Sequence, residues 1–430
     1  MQPNVWTRAR VFGMGAILAL AASPALAADD SVSAELRQMR EMVLQLQDQV
    51  QNQQTQLEEQ TSVIRGAGLE ERSSDSALSS FLEKTDFSGT MAASYFYNTN
   101  NPGSGFANGG NTAQGGNPFH PDHNSIQVDE VWLSMSQSAS DENPVGFGID
   151  LVYGALGDRA GLAGGLGAPG VITSDSLWLS QAYLDYATHG MTLTVGKFAT
   201  HIGYEVAGAA NNVMITRGIT YSLLQPVSQV GAKLSGESHG IDWMVGVTNG
   251  LGTNHSDVDG KKDLIWSLGW GTDNLSVLFN GEYGGDAEFY GGGASNSALV
   301  LDSIVEYTPS DSIVTWLNLT WANVETGVSD DTADSLGIAV GGRMAMNDRT
   351  GLAARFEYVD PFGDGGGAGD IDLFSVTGTV DHALADGLTL KGEVQWNSVN
   401  VPGTDAVYTD SDGNTDDNEV ILGVQLVYGF

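Results

Sequence analysis

From Asp86 to the end of the chain, apolar and polar residues alternate with a period of two. The last segment shows this most plainly. Val420, Leu422, Val424, Leu426, Tyr428 and Phe430 share one face, and Gly423, Gln425 and Gly429 share the other. A strand with apolar groups on one side and small or polar groups on the other suits a wall between lipid and water. The pattern recurs upstream. Leu388, Leu390, Val394 and Trp396 interleave with Thr389, Lys391, Glu393, Gln395 and Asn397, and Leu352, Ala354, Phe356 and Tyr358 interleave with Arg355 and Glu357. One such strand would fit a soluble sandwich equally well. Here the apolar face is filled in every strand, and no second apolar set is left over for a core.

Segments of this kind number about 16, an even count of near-bilayer-crossing lengths. They fall near 86–98, 125–138, 143–154, 176–188, 191–199, 227–237, 240–249, 262–272, 274–285, 295–308, 311–324, 334–347, 349–360, 369–382, 386–399 and 417–430. Their connections alternate between tight turns, such as His189-Gly190, and long stretches rich in Gly, Asn and Asp, such as 200–226. Short periplasmic turns and long external loops are the outer-membrane arrangement. The expected fold is therefore all-β: a transmembrane antiparallel β-barrel of about 16 strands over 86–430, wide enough to leave an aqueous channel.

The N-terminal part reads differently. Arg8 and Arg10, the apolar run Val11–Ala22 and the small-residue site Ala25-Leu26-Ala27 predict a cleaved signal peptide over 1–27, hence export. Leu36, Met39, Val43, Leu46, Val50, Gln53, Leu57, Gln60 and Ile64 are then spaced alternately three and four residues apart. That seam predicts a short α-helical periplasmic coiled coil over 34–66, which calls for partner helices, a homotrimer by preference. Packing against its own barrel or against peptidoglycan is the alternative. Residues 67–85 read as a linker.

Composition narrows the function. The chain has 430 residues, 17 Lys+Arg against 53 Asp+Glu, a formal charge of -36 and no Cys. Nucleic acid is excluded as a natural partner, because phosphates need a basic face. Disulfides and thiolate chemistry are excluded too. No Ser/His/Asp arrangement stands out, so the expectation is no enzyme and no required cofactor. Asp410, Asp412, Asn414 and Asp416 alternate like a calcium loop, which makes Ca2+ a candidate in the last long loop, although Gly413 is not where a calcium loop needs its turn glycine. His120, Asp122 and His123 read as a solvated loop.

The stretch Val195–Leu234 contains Gly196, Lys197 and Phe198, then Gly203, Tyr204 and Glu205, then Asn211, Asn212, Arg217, Pro226 and Gly231. It resembles the middle of the beta-barrel porin family of Gram-negative outer membranes, in which a strand end leads into such a loop and on to a further strand. The seam helix weakly resembles the N-terminal coil of some trimeric anion-selective porins. The family resemblance implies a porin. With general porins as the guide, the loop 200–226 folds inward, and Tyr204, Glu205, Asn211, Asn212 and Arg217 become constriction residues; an external cap is the other reading.

Parity supplies the wall. Lys233, Arg343, Arg355 and Lys391 fall opposite the lipid set, as do Asp150, Asp185, Glu282, Glu357 and Glu393. A charge facing lipid at mid-bilayer costs about 2–4 kcal/mol, so cost alone would also put them inside. Lys197 shares parity with Leu193 and Val195, and needs a bulge or a strand end to join the wall set. The terminal Tyr428 and Phe430 form the aromatic C-terminus through which barrel-insertion machinery would act. The sequence thus predicts a porin in outer-membrane lipid that passes small hydrophilic solutes and ions by passive diffusion, with weak cation selectivity from its acidic loops. A structural protein tethering the membrane to the cell wall through the coil is the alternative.

Overall fold

The computed structural model describes residues 81–101, 123–157, 177–250, 260–285, 297–325, 332–363, 371–400, 408–409, 412 and 414–430. The expected signal peptide and coiled coil, and most of the expected linker, lie outside them.

In chain order the strands are β1 (Asp86–Asn98), β2 (Ser125–Gln137), β3 (Val145–Tyr153), β4 (Leu177–Thr188), β5 (Met191–Ala199), β6 (Ser228–Ser238), β7 (Ile241–Thr248), β8 (Asp263–Gly271) and β9 (Leu275–Gly284). There follow β10 (Ala298–Ser310), β11 (Ile313–Glu325), β12 (Thr332–Asn347), β13 (Thr350–Gly363), β14 (Asp372–Ala385) and β15 (Leu388–Asn400). The two-residue strands β16 (Tyr408–Thr409) and β17 (Thr415–Asp416) pair only with each other, and β18 (Asn418–Gly429) ends the chain. Every barrel strand pairs antiparallel with its sequence neighbour, and β18 closes the ring on β1 and β15. The result is a closed barrel of 16 strands. The strand ends match the expected ones to within a few residues. The small β16–β17 ribbon is an addition inside the last long loop.

Tight turns pin the register. His189 and Gly190 have φ of 52° and 72°, and His239 and Gly240 have φ of 56° and 76°. Two successive positive φ values suit the two-residue hairpin whose twist matches that of the strands. At the seam, the backbone N–H of Phe430 donates to Gly89 O at 3.0 Å and Phe430 O accepts from Gly89 N–H at 2.9 Å. Phe430 is thus part of the closure.

Parity holds around the ring. Leu422 and Val424 are 43% and 50% exposed on the outer face, whereas Gln425 between Val424 and Leu426 is 0% exposed. Two bulges break it usefully. Ala92 faces Glu130 and Ala93 faces Val128, so Asp129 is the extra residue in β2, and Asp129 and Glu130 are both buried. Asp150 faces Gln181 and Leu151 faces Leu179, so Ser180 is the extra residue in β4.

The inner face corrects one expectation. It is not wholly polar. Ala298, Val300, Ala322, Val324, Val359, Leu373 and Val399 form an internal apolar cluster with Ile202, Ile219, Leu223, Leu224 and Tyr408. The reason is the connection between β5 and β6. Its helix α1 (Ile219–Leu224) enters the barrel, and its apolar residues need apolar wall to cover them. Among the described residues, no helix is long and apolar enough to cross a membrane.

Candidate functional site

The segment 200–227 leaves β5 and folds into the barrel. Side chains of the wall reach its backbone from several strands. Glu130 on β2 accepts Ala209 N–H with both oxygens, at 3.0 and 3.1 Å. Glu393 on β15 accepts Ile215 N–H at 2.6 Å, Thr216 N–H at 2.9 Å and the Thr216 hydroxyl at 2.5 Å. Asp302 on β10 accepts Gly203 N–H at 3.1 Å. Glu357 on β13 accepts Ile219 and Thr220 N–H at 3.2 and 3.1 Å. Those two donors belong to the first turn of α1, which has no side-chain cap of its own. Glu357 therefore serves as its cap from the adjoining wall strand.

Basic wall groups take the carbonyls. Lys391 Nζ donates to Ala209 O at 3.1 Å and to Asn212 O at 2.6 Å. Arg355 Nη1 donates to Glu205 Oε1 at 2.5 Å and to Thr216 O at 2.9 Å, and its Nε lies 2.9 Å from Glu357 Oε2. Arg355, Glu357, Glu393 and Lys391 face inward as parity expects, but the segment covers them, and all four are buried. Charged hydrogen bonds of this kind are about twice as strong as neutral ones, so they anchor the segment firmly.

The five loop residues divide by environment. Tyr204 stacks on Trp316 with centroids 4.5 Å apart, and its hydroxyl donates to Glu306 at 2.9 Å. Glu205 joins Arg355 and accepts Gly218 N–H at 2.7 Å. Burial pushes its carboxyl pKa above the ordinary value, against the pull of Arg355. Asn212 is buried and ties Val206 O and Gly208 O at 2.5 and 2.8 Å. Arg217 is buried as well. It donates to Val206 O, Ala207 O and Ile215 O, and lies 3.9 Å from Glu130. Asn211 is exposed, in a short 3-10 turn (Ala209–Asn211).

The other wall residues keep some exposure, with one exception. Lys233 Nζ lies over the Phe198 ring at 4.4 Å. Arg343 and Asp381 form an ion pair at 2.6 Å. Asp150 accepts from Gln181 at 2.5 Å, and Asp185 from the Thr194 hydroxyl at 2.6 Å. Glu282 is the exception, fully buried against Gln229. Lys197 Nζ lies 5.4 Å from the ring of Trp178, a buried residue of β4. The Ser180 bulge and Gly196, with φ of 137°, both disturb the wall beside it.

His201, at the start of the segment, donates through Nε2 to Gly281 O at 3.0 Å. Burial lowers its pKa to about 4, and nearby Lys233 adds to the effect. Two recesses of about 380 and 410 Å3 flank Ala210 and Asn211. The first meets Arg343, Asp381 and Lys391, and the second meets Glu130, Trp132, Asp150 and Glu205.

Parity reasoning missed Glu130, Asp302 and Asn318, whose Oδ1 accepts Tyr204 N–H at 3.1 Å. For Glu130 the signal was the Asp129-Glu130 pair, two adjacent acids in an alternating strand, which marks a bulge. Of the calcium candidate, Asp410 lies outside the described residues, as do His120 and Asp122, while Asp412, Asn414 and Asp416 are exposed. Among the described residues, no three acidic or imidazole groups cluster to hold a metal.

Residues 84–430 match the family model described as "Putative beta-barrel porin-2, OmpL-like". No curated protein matches the chain. Among solved structures, in-vitro folded OmpT of Vibrio cholerae superposes with a TM-score of 0.53 at 16% identity, over 80% of this chain and 97% of that one. The anion-selective porin from Comamonas acidovorans gives 0.51 at 9% identity, over 80% and 99%. Such identities show the fold alone. The family match over most of the chain shows more: this protein belongs to the OmpL-like beta-barrel porin-2 family of outer-membrane proteins.

Proposed function

We propose that the barrel is a passive diffusion channel for small hydrophilic solutes and ions, narrowed by the segment 200–227. The observation that supports this best is the anchoring of that segment across the lumen by Glu130, Asp302, Glu357, Lys391 and Glu393. A loop held by charged groups from several strands keeps a fixed cross-section, which a size-limited pore needs. No energy source or cofactor enters this reading, and no catalytic step is assigned. Tyr204 and Asn211 on the segment, with Lys197, Lys233, Arg343, Asp150 and Asp185 on the wall, are the charged and polar groups proposed to meet the solute, whereas Glu205 is taken up by Arg355. Asp150, Asp185, Lys197 and Lys233 lie on the neighbouring strands β3 to β6, so that stretch of wall presents both signs of charge to a dipolar solute.

The selectivity proposed is weakly cationic, because the chain carries a formal charge of -36 and an acidic mouth concentrates cations. A homotrimer is proposed from the seam helix. The Vibrio cholerae protein OmpT has been solved in a trimer form. Tyr428 and Phe430 are proposed to engage the insertion machinery, and Asp410, Asp412, Asn414 and Asp416 to bridge Ca2+ weakly outside.

The test is single-channel conductance in a planar bilayer with a salt gradient. Insertion in triplet steps with a cation-favouring reversal potential is the expected result. A silent membrane holding folded protein would overturn the diffusion reading and favour the tether through residues 34–66.

A further inference from the structure

The larger of the two recesses that flank Ala210 and Asn211 holds about 410 Å3, within the size range of small-molecule sites. A row of polar side chains borders it. Ser88 on β1 faces Ser134 on β2, Ser134 faces Asp150 on β3, and Asp150 faces Gln181 on β4. All four line the recess, and none is fully buried. Adjacent strands are about 4.8 Å apart, so the row offers a hydrogen-bonding group at each step across four strands. Gln181 Nε2 donates to Asp150 Oδ2 at 2.5 Å, which leaves the carboxylate further lone pairs for other donors.

Apolar groups line the same recess. Trp132 lies two residues from Ser134 on the same face of β2, and its Nε1–H donates to Ser134 Oγ at 3.1 Å. Trp178 meets it edge-on, at 84° with centroids 6.3 Å apart. The half-exposed Trp132 ring is thus a fixed apolar surface whose polar end is already engaged. Val206 comes from the inserted segment and is 42% exposed inside the barrel, where no lipid covers it.

Charge narrows the occupant. Among the described residues, no Lys or Arg lines the recess, so no basic side chain there pairs with an anion. Glu130 and Glu205 border it but are taken up by Ala209 N–H and by Arg355. An organic cation is opposed from the side, because Lys197 Nζ over the Trp178 ring, at 5.4 Å, already sets a positive charge against the aromatic pair. What fits is a neutral solute with an apolar face and a hydroxyl edge.

We propose that this recess is a binding subsite for a neutral sugar. The C–H face of the ring packs on Trp132 and Val206, and its hydroxyls bond to Ser134, Asp150 and Gln181. This names a solute class for the diffusion channel and rests on that reading for the sugar's passage, though not for its binding.

The test is saturation-transfer NMR on full-length protein folded in a sugar-free detergent, titrated with maltose and, separately, with choline chloride. The expected result is saturable transfer to the maltose ring protons, weakened about tenfold or more in Trp132→Leu and in Asp150→Ala, and little transfer to choline. Heat-modifiable gel mobility confirms that each variant is folded. If Trp132→Leu does not fold, Val206→Ser, a change at an exposed position, carries the test with the same expected loss. Absence of saturable transfer to maltose overturns the subsite, as does wild-type affinity in the folded variants. Saturable transfer to choline in place of maltose overturns the neutral-sugar assignment. Ion conductance of the same preparation in a planar bilayer reads the channel separately. A silent bilayer with intact maltose binding sinks the diffusion reading and keeps the subsite, whereas conductance without maltose binding does the reverse.

Discussion

Arg355 on the wall and Glu205 on the inserted segment meet at 2.5 Å between Nη1 and Oε1, with the Arg355 side chain 0% exposed. This contact joins two parts of the chain 150 residues apart. It works because Glu357 balances the guanidinium from the other side.

Replacing Arg355 by Met should therefore do more than remove a bond. It leaves Glu205 and Glu357 facing each other in a buried place. Breaking one side of a buried pair costs about 3–5 kcal/mol. The temperature at which heat-modifiable mobility is lost should fall markedly, and Glu205→Gln in the same chain should restore part of it. An unchanged transition would show that the segment is held by its backbone bonds alone.

The ion pair of Arg343 and Asp381 borders the recess beside Asn211. Asp381→Asn leaves the arginine charge uncompensated, so the zero-current potential in a salt gradient should move toward anions. Arg343→Gln should move it toward cations. Equal potentials in both variants would place the ion path elsewhere.

His201 carries a pH dependence. Its pKa in the fold is about 4, below the ordinary 6.5. Between those values the unfolded chain binds the proton and the folded chain does not, so stability falls as pH drops from about 6.5 toward 4 and is fully present above that range. Unfolding midpoints at pH 7.5 and 4.5 should differ in that direction. His201→Gln should lose the part of the slope due to this group, and an identical slope in the variant would assign it to other residues.

Gly196 sits at φ 137°, and a Cβ there would lie 2.3 Å from Ala182 O. Gly196→Val should destabilise the barrel by about 1–3 kcal/mol through strain, with a further cost from the clash. Denaturant midpoints measure it. A neutral result would mean that the β4–β5 wall can relax there.

Much was readable from the one-dimensional pattern. Alternation located all the barrel strands, because a wall with lipid on one side must repeat every two residues. The same rule turns Lys233, Arg343, Arg355 and Lys391 inward. Loop lengths and residues such as His189-Gly190 set the connections, because their backbone requirements are local. The match in Val195–Leu234 pointed to the segment that enters the barrel.

The pairing of that segment with the wall was decided only by the tertiary structure. Glu393 and Ile215 are 178 residues apart, and no periodicity relates them. The bulges at Asp129 and Ser180 shift which side chains point inward, and a period-two rule fails at the inserted residue. The inner apolar patch of Val300, Val324 and Val399 has meaning only once α1 lies against it. Gln229 and Glu282 touch across two intervening strands because the closed wall curves their side chains toward each other. The sequence by itself determined the strands and their faces, which depend on near neighbours and on the lipid boundary. The tertiary structure decided which inward groups remain open to water and which are taken up by the segment, because closure and loop insertion are global.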